Sequence, residues 1–217
     1  MTSSAIDDLY QQVYARPHDD DLRRVLADAL LAIDDPRGEL IQLQFHPDAD
    51  HQQRAMRLVQ QYGLTWLGAL RGAVIPLAYE RGFLASCQVL DVSPTLVGHP
   101  EWGTVYTIEL DPDPATRTST FFVHPVMRAL RRVTGANVAT LRWLATQTLP
   151  PLLTELATEC TWAEFQTVFD ELSRLPLQVI EVAALQVVLR RGADGAWVTP
   201  AELPDLGEPD PEDPRYQ

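Results

Sequence analysis

The amino-acid sequence predicts an α/β protein in which a helical N-terminal subdomain caps a short α/β solenoid. The main observation is a weak repeat in the second part of the chain, where prolines recur every 24 to 26 residues and each precedes a short apolar segment. These prolines are Pro76, Pro100, Pro125, Pro150 and Pro176. A period of this length, with one strand and one crossover per unit, is typical of solenoids, whose units stack and share one core. The second observation is that apolar residues before the first of these prolines follow helical spacing.

The N-terminal subdomain, residues 1–75, is predicted to contain four helices followed by a short apolar segment. The clearest helix follows the acidic run 19–21, because apolar residues recur at intervals of three and four over 22–33. Acidic residues suit the positive end of a helix dipole. The acidic and proline-containing stretch 34–36 should end this helix and begin the next, and Gly63 is predicted to end the fourth.

The second part, residues 76–200, is predicted to be a degenerate solenoid with five repeat strands. The strands are expected within residues 83–90, 105–110, 130–133, 153–156 and 177–182. Helical crossovers are predicted over 138–144 and 162–172, where apolar residues return to helical spacing. The polar stretch 111–120 is interpreted as a protruding loop, and residues 185–198 as a terminal hairpin that closes the solenoid.

Two strings in the N-terminal part carry a resemblance to a known family. They are Arg24-Val25-Leu26-Ala27-Asp28 and Asp35-Pro36-Arg37-Gly38-Glu39-Leu40-Ile41-Gln42-Leu43-Gln44. Together they resemble the bacterial repeat-companion domain, which precedes leucine-rich-repeat-like segments. The resemblance covers about residues 5–90. It implies a helical companion domain followed by degenerate leucine-rich-repeat-like units, and it brings no established catalytic activity. From the residues themselves, Asp28 and Arg37 are expected to form a buried ion pair between two helices.

The predicted repeats depart from the usual leucine-rich pattern, in which an asparagine or cysteine follows the strand at a fixed distance. Asn137 lies seven residues after Leu130, and Cys160 lies seven residues after Leu153. We therefore expect Asn137 and Cys160 to occupy equivalent positions in successive units. Cys160 is interpreted as a buried core residue and not as a nucleophile.

The charge balance limits the classes of partner. The net charge is −13 at pH 7, and all 17 basic residues are arginines. An acidic chain is not expected to bind nucleic acid or an anionic membrane, because both require basic surface. Residues 201–217 are predicted to be a disordered acidic tail. No signal-peptide pattern and no long apolar run occurs in the sequence, so we expect a cytoplasmic protein.

The sequence contains none of the common catalytic motifs, such as a glycine-rich phosphate loop, G-x-S-x-G, C-x-x-C or H-E-x-x-H. We therefore expect no catalytic residues and no cofactor. The loop 46–51 carries two histidines and two aspartates, which are possible metal ligands. A solvated polar loop without metal is the favoured interpretation. His99 and His124, each followed by proline, are interpreted as turn-stabilising residues.

The preferred hypothesis is a non-catalytic protein that binds a peptide or protein, as an adaptor, through the strand face of the solenoid or an open sheet edge. Alternation along the predicted strands indicates the contact residues, which are Tyr106, Thr107, Glu109, Arg131, Arg132, Thr154 and Glu155. The alternative is an acidic inhibitor or immunity-type protein that masks a basic partner. A small hydrolase or metal enzyme using the loop 46–51 is a third hypothesis. The chain is expected to be a monomer or a weak homodimer.

Overall fold

The structure is a computed structural model that describes residues 3–46, 48–90, 92–110 and 121–198. In these residues the chain is a mixed α/β protein with six α-helices and one eight-stranded sheet. The predicted loop 111–120 and the predicted acidic tail 201–217 lie outside the described residues. The boundaries between the three predicted parts of the chain stay predictions.

The N-terminal part contains four helices, as the sequence predicts. They are α1 (Ser3–Ala15), α2 (Asp20–Leu31), α3 (Pro36–Leu43) and α4 (Ala49–Trp66). The carboxylates of Asp19, Asp35 and Asp48 accept hydrogen bonds from backbone N–H groups in the first turns of α2, α3 and α4. These aspartates are therefore helix caps, which satisfy donors that have no partner inside the helix. Within the described residues no helix is both long and apolar enough to cross a membrane.

The sheet follows the order of the chain from one edge to the other. Its strands are β1 (Val74–Glu80), β2 (Phe83–Val89), β3 (Thr107–Leu110), β4 (Arg132–Ala136), β5 (Glu155–Thr158), β6 (Val179–Val182), β7 (Val187–Arg191) and β8 (Trp197–Val198). Strands β2 to β6 run parallel, whereas β1 and the β7–β8 hairpin are antiparallel to their neighbours. Each of the five predicted strands overlaps an observed strand, although β4 and β5 begin and end two or three residues later than predicted, and the terminal hairpin is confirmed. The sequence prediction missed β1, since Pro76 lies inside this strand instead of preceding one.

One face of the sheet is buried and the other is open. Alternate residues of the parallel strands point into a common core, and they are Cys87, Ile108, Val133, Leu156 and Ile180. The helices that connect the last three of these strands, α5 (Val138–Leu144) and α6 (Trp162–Leu172), pack on this face with the predicted apolar residues. The strand residues that alternate with these core residues are mostly polar and partly exposed. The opposite face of the sheet is therefore a polar surface.

The predicted equivalence of Asn137 and Cys160 is wrong by one residue. Asn137 caps α5, where its side-chain oxygen accepts a hydrogen bond of 2.9 Å from a backbone N–H of the first turn. The residue that caps α6 is Thr161, which follows Cys160. Cys160 is buried, as predicted, and burial raises the pKa of its thiol.

The two proline-linked histidines behave differently. His124 accepts a hydrogen bond of 3.2 Å from the backbone N–H of Val126 through Nδ1, which confirms its predicted role in the turn. His99 makes no such bond, since its buried Nδ1 has no hydrogen-bond partner among the described residues. It lies 3.8 Å from the carboxylate of Glu101.

Candidate binding site at the sheet edge

The most prominent surface feature is an open groove between helix α4 and the edge strand β1, which we call the edge groove. β1 pairs with β2 on one side only, so its other side faces the helix. The groove encloses about 750 Å³. Its lining residues are Leu43, Gln44, His46, Gln52, Ala55, Met56, Val59, Gln60, Gly63, Leu64, Pro76, Leu77, Ala78, Tyr79 and Glu80.

The helical wall of the groove is a second apolar stripe on α4. The first stripe includes Leu58, which is buried against Leu40 of α3 and contributes to a small core. The residues of the second stripe, which include Met56 and Leu64, occur every three to four positions and face the groove. The side chains of these two residues are 59% and 60% exposed, and Leu77 on the opposite wall is 53% exposed. The groove therefore presents large apolar side chains from both walls to solvent.

Tyr79 joins the two walls of the groove. Its hydroxyl donates a hydrogen bond of 2.7 Å to the carbonyl of Gly63 in α4. A Cβ at position 63 would lie 3.4 Å from the Tyr79 ring, which is an ordinary van der Waals contact, so the approach of Tyr79 does not depend on glycine. Burial raises the pKa of Tyr79 to about 12, which keeps the donating proton on the phenol. The prediction that Gly63 ends this helix is wrong, because α4 continues to Trp66.

Arg37 makes a second connection between the walls. Its side chain is buried, and it donates hydrogen bonds to the carbonyls of Gly82, at 2.8 Å, and Trp66, at 3.2 Å. These carbonyls belong to the β1–β2 turn and to the last residue of α4. The predicted ion pair between Asp28 and Arg37 is wrong, since Asp28 instead accepts a hydrogen bond of 3.1 Å from Gln42. Arg37 therefore has carbonyl partners in place of the predicted carboxylate, and its guanidinium also lies over the ring of Phe83.

Gln44 makes a third connection and limits the free backbone of β1. Its side-chain amide donates to the carbonyl of Tyr79 at 2.8 Å and accepts from the N–H of Gly82 at 2.7 Å. Pro76 supplies no N–H, and the register with β2 shifts around Leu77. Proline and irregular register are features that protect edge strands from pairing with other strands. An added strand would therefore find an interrupted hydrogen-bond ladder along β1.

The polar lining of the groove carries little charge. Among the described residues that line it, Glu80 is the one carboxylate and there is no arginine. His46 also lines the groove, with its ring centroid 5.2 Å from that of His51. His51 in turn makes a hydrogen bond with Asp48 through Nδ1. Over the residues that the structure describes, no group of three or more His, Cys, Asp and Glu side chains is arranged to hold a metal ion.

The residues that the sequence predicted as partner contacts lie elsewhere, on the sheet. Thr107, Arg132 and Glu155 are register partners in one row across β3, β4 and β5. Arg132 donates hydrogen bonds to Glu155, at 3.1 Å, and to Glu181, at 2.6 Å. Glu109 lies beside Thr134 in the next row. We call these residues the open face; its central arginine already has two carboxylate partners within the protein.

Tyr106, Arg131 and Thr154 form a separate row at the start of the same strands. Backbone hydrogen bonds connect them, from the N–H of Arg131 to the carbonyl of Tyr106 and from the N–H of Thr154 to the carbonyl of Arg131. The guanidinium of Arg131 lies over the Tyr106 ring, with its carbon 5.9 Å from the ring centroid.

Sequence reasoning missed the edge groove. A signal for it was present, because α4 carries more apolar residues than its small core needs.

The comparisons with known proteins found no match among models of protein families, curated proteins or solved structures. The repeat-companion resemblance therefore stays a hypothesis. The geometry of the edge groove is therefore the basis for assigning a function.

Proposed function

We propose that this is a non-catalytic peptide-binding protein whose edge groove receives a short apolar segment of a partner protein. The observation that carries this proposal is the exposure of Met56, Leu64 and Leu77, which face one another across a groove with fixed walls. Exposed apolar patches of this kind mark interaction surfaces, because leaving them in water is unfavourable.

The chemistry of the groove favours a particular class of segment. Its walls are apolar, its rim contains the carboxylate of Glu80, and no arginine lines it. The chain as a whole carries a net charge of −13. A bound segment should therefore combine apolar side chains with neutral or basic residues, and acidic residues should weaken its binding.

The groove length suits a short segment in extended conformation. From Gln52 to Leu64 the helical wall rises by about 18 Å, at about 1.5 Å per residue. An extended peptide covers that length with about five or six residues. Because the hydrogen-bond ladder of β1 is interrupted around Pro76 and Leu77, side-chain burial should supply most of the affinity.

We also propose that the parallel strands are repeat units of a short solenoid. The parallel order of β2 to β6 supports an interpretation as short leucine-rich-repeat-like units. Partnered residues in β3, β4, β5 and β6 are separated by 25, 23 and 24 residues in sequence, as at Thr107, Arg132, Glu155 and Val179. In this interpretation the four N-terminal helices cap the first unit, and α4 doubles as one wall of the binding site.

A random peptide library displayed on phage tests the proposal directly. The full chain is immobilised, 12-residue peptides are selected, and the enriched peptides are synthesised for affinity measurements. We expect enriched sequences to carry several apolar side chains and few acidic ones. A library that yields no enriched sequence, or sequences dominated by acidic residues, would overturn the proposed groove function.

Matched variants locate the binding site. Leu77→Asp and Met56→Glu should each weaken binding of a selected peptide by at least about 20-fold, because the lost burial and the buried charge both oppose binding. Val198→Asp on the other edge strand and Val25→Glu on α2 are controls, with side chains 60% and 52% exposed. They should change the dissociation constant by less than about twofold. Equal losses in variants and controls would place the binding elsewhere.

The salt dependence of the same peptides separates the proposal from the acidic-inhibitor alternative. Burial of apolar side chains changes little with salt, whereas binding through net charge weakens steeply as the Debye length shortens. We expect the dissociation constant to change by less than about threefold between low and physiological ionic strength. A much steeper loss would favour the inhibitor alternative.

A further inference from the structure

A second surface, independent of the edge groove, combines basic and aromatic side chains at the start of the parallel strands. His18, in the α1–α2 loop, stacks on Tyr106 with a centroid distance of 5.9 Å and an interplanar angle of 18°. The guanidinium of Arg131 lies over the same ring. We call these three residues the Tyr106 cluster.

A cleft of about 430 Å³ adjoins this cluster and shares His18 with it. Three basic side chains line the cleft, those of Arg16, His18 and Arg128, against the single carboxylate of Asp19. That carboxylate is already engaged, because it caps α2 and lies 3.4 Å from the guanidinium of Arg16. Arg128 is held at the cleft by a hydrogen bond of 2.7 Å to the carbonyl of Ala15.

Two arginines lie behind the cluster, and their charges are matched in number by two carboxylates. Arg23 is buried, and among the described residues its guanidinium donates to the carbonyl groups of Pro17, Glu80 and Arg81. The two carboxylates, Asp20 and Glu80, both lie within ion-pair distance of Arg81. The positive charge that lacks a carboxylate partner therefore lies at the surface.

Arg131 carries such a charge on the surface. Its side chain is exposed, and among the described residues no carboxylate lies within 4 Å of its guanidinium. Burial lowers the pKa of His18, and Arg131 and Arg23 lower it further, whereas Asp20 and Glu80 act in the opposite direction.

We propose that the Tyr106 cluster and the adjoining cleft form an oxyanion-binding site, with Arg131 and His18 as the groups that contact a carboxylate or phosphate. An exposed guanidinium held against an aromatic ring presents its planar fork of donors to such a group. Both side chains lie against the ring of Tyr106, which holds them close to one another. This site lies outside the edge groove, and anion binding here does not depend on peptide binding in the groove.

The test uses the full chain with histidine side chains labelled for NMR, titrated with inorganic phosphate or with acetate at constant pH and ionic strength. The His18 signal is assigned with His18→Gln. We expect a saturable shift of that signal and a rise in the pKa of His18, because a bound anion favours the protonated imidazole. Tighter phosphate binding would identify a phosphate ligand, and tighter acetate binding a carboxylate.

Two variants decide between a site and a general effect of charge. Arg131→Gln should weaken anion binding by at least about tenfold, because charge-assisted hydrogen bonds are lost. Arg190→Gln removes an equally exposed arginine of β7 and should leave binding unchanged. Leu77→Asp should also leave it unchanged, since the groove is a separate surface. The absence of a saturable shift, or equal losses in both arginine variants, would overturn the proposal.

Discussion

The edge groove and the open face are both surfaces of one sheet, but they differ in whether their exposed side chains already have partners within the protein. On the open face Arg132 lies between Glu155 and Glu181 and donates to both. In the edge groove Met56, Leu64 and Leu77 remain largely exposed, whereas the polar groups beneath them are paired. The central arginine of the open face already has its partners within the protein, and the groove has apolar surface left to bury.

This difference is the reason why we propose the edge groove as the binding site, and not the residues that alternation along the strands predicted. Alternation correctly identified the polar side of β3, β4 and β5, but it gave no information on whether those polar groups already had partners. A surface pair contributes little further energy to a partner that must first break it. An exposed apolar wall contributes its full transfer free energy when a partner covers it.

The largest effect on stability is expected from Arg37→Met, which tests whether the groove walls are tied together. The substitution leaves the carbonyls of Gly82 and Trp66 without their donors and removes packing on Phe83. We expect the free energy of unfolding to fall by about 3 kcal/mol, measured by urea denaturation. Binding of a selected peptide should weaken as well, because the two walls lose a common anchor. A loss below about 1 kcal/mol would show that the walls hold their positions without Arg37.

Arg132→Gln tests the claim that the open face is self-contained. The variant removes the partner of two neighbouring glutamates, whose repulsion is partly screened by solvent. We expect a loss of about 1 kcal/mol in unfolding free energy at low salt and less at high salt. Peptide binding should stay within about twofold of the wild type. A tenfold loss of peptide affinity would transfer the binding site to the open face.

Tyr79→Phe sharpens the comparison at a single hydrogen bond. The ring remains, but the carbonyl of Gly63 loses its donor. The free energy of unfolding should fall by about 1 kcal/mol, and peptide affinity should fall only a few-fold. Urea denaturation and calorimetry of the same peptide measure the two quantities. No change in either would mean that water replaces the phenol without cost.

The smallest effect concerns Glu101, a mostly buried carboxylate that differs from the exposed glutamates of the open face. Burial raises its pKa, against weaker opposing effects of His99, two backbone N–H groups and Arg37. The folded state therefore binds a proton more readily than the unfolded state, so stability falls as pH rises above the ordinary glutamate pKa of about 4.3. Glu101→Gln removes this loss.

The expected result is a stability difference between Glu101→Gln and the wild type that moves in favour of the variant as the pH rises from about 4 to about 7. Unfolding by urea at several pH values measures it, and Glu155→Gln on the open face provides the control. A difference that is constant with pH, or that moves in favour of the wild type, would contradict the assigned direction of the pKa shift.

The sequence predicted the repeated elements well because each repeat strand places buried residues at alternating positions. Ile108, Val133, Leu156 and Ile180 recur at nearly constant spacing, and a hydrophobic repeat of that kind is a local property of the chain. Helices α2 and α3 were likewise predictable from their apolar spacing and their aspartate caps, and α6 from its apolar spacing. The strand β1 was missed because it contains Pro76 and lacks strict alternation of buried and exposed residues.

The candidate site was not predictable for a different physical reason. It depends on contacts between distant residues, such as Arg37 with Gly82 and Gln44 with Tyr79. Sequence spacing led to an ion pair between Asp28 and Arg37 because opposite charges on adjacent helices usually attract. In the structure, the arginine instead donates to the carbonyl of Gly82 in the β1–β2 turn and to that of Trp66 at the end of α4. Which groups meet across such a junction follows from the packing of helices on the sheet.

The most direct test of the central claim is an NMR map of a selected peptide on the isotopically labelled full chain. If the peptide binds in the edge groove, chemical-shift changes and peptide-to-protein contacts should cluster at Met56, Leu64 and Leu77. The signals of Thr107 and Glu155 should stay in place. Contacts that instead cluster at Thr107, Arg132 and Glu155, with the signals of α4 and β1 unchanged, would contradict the account and return the binding function to the open face.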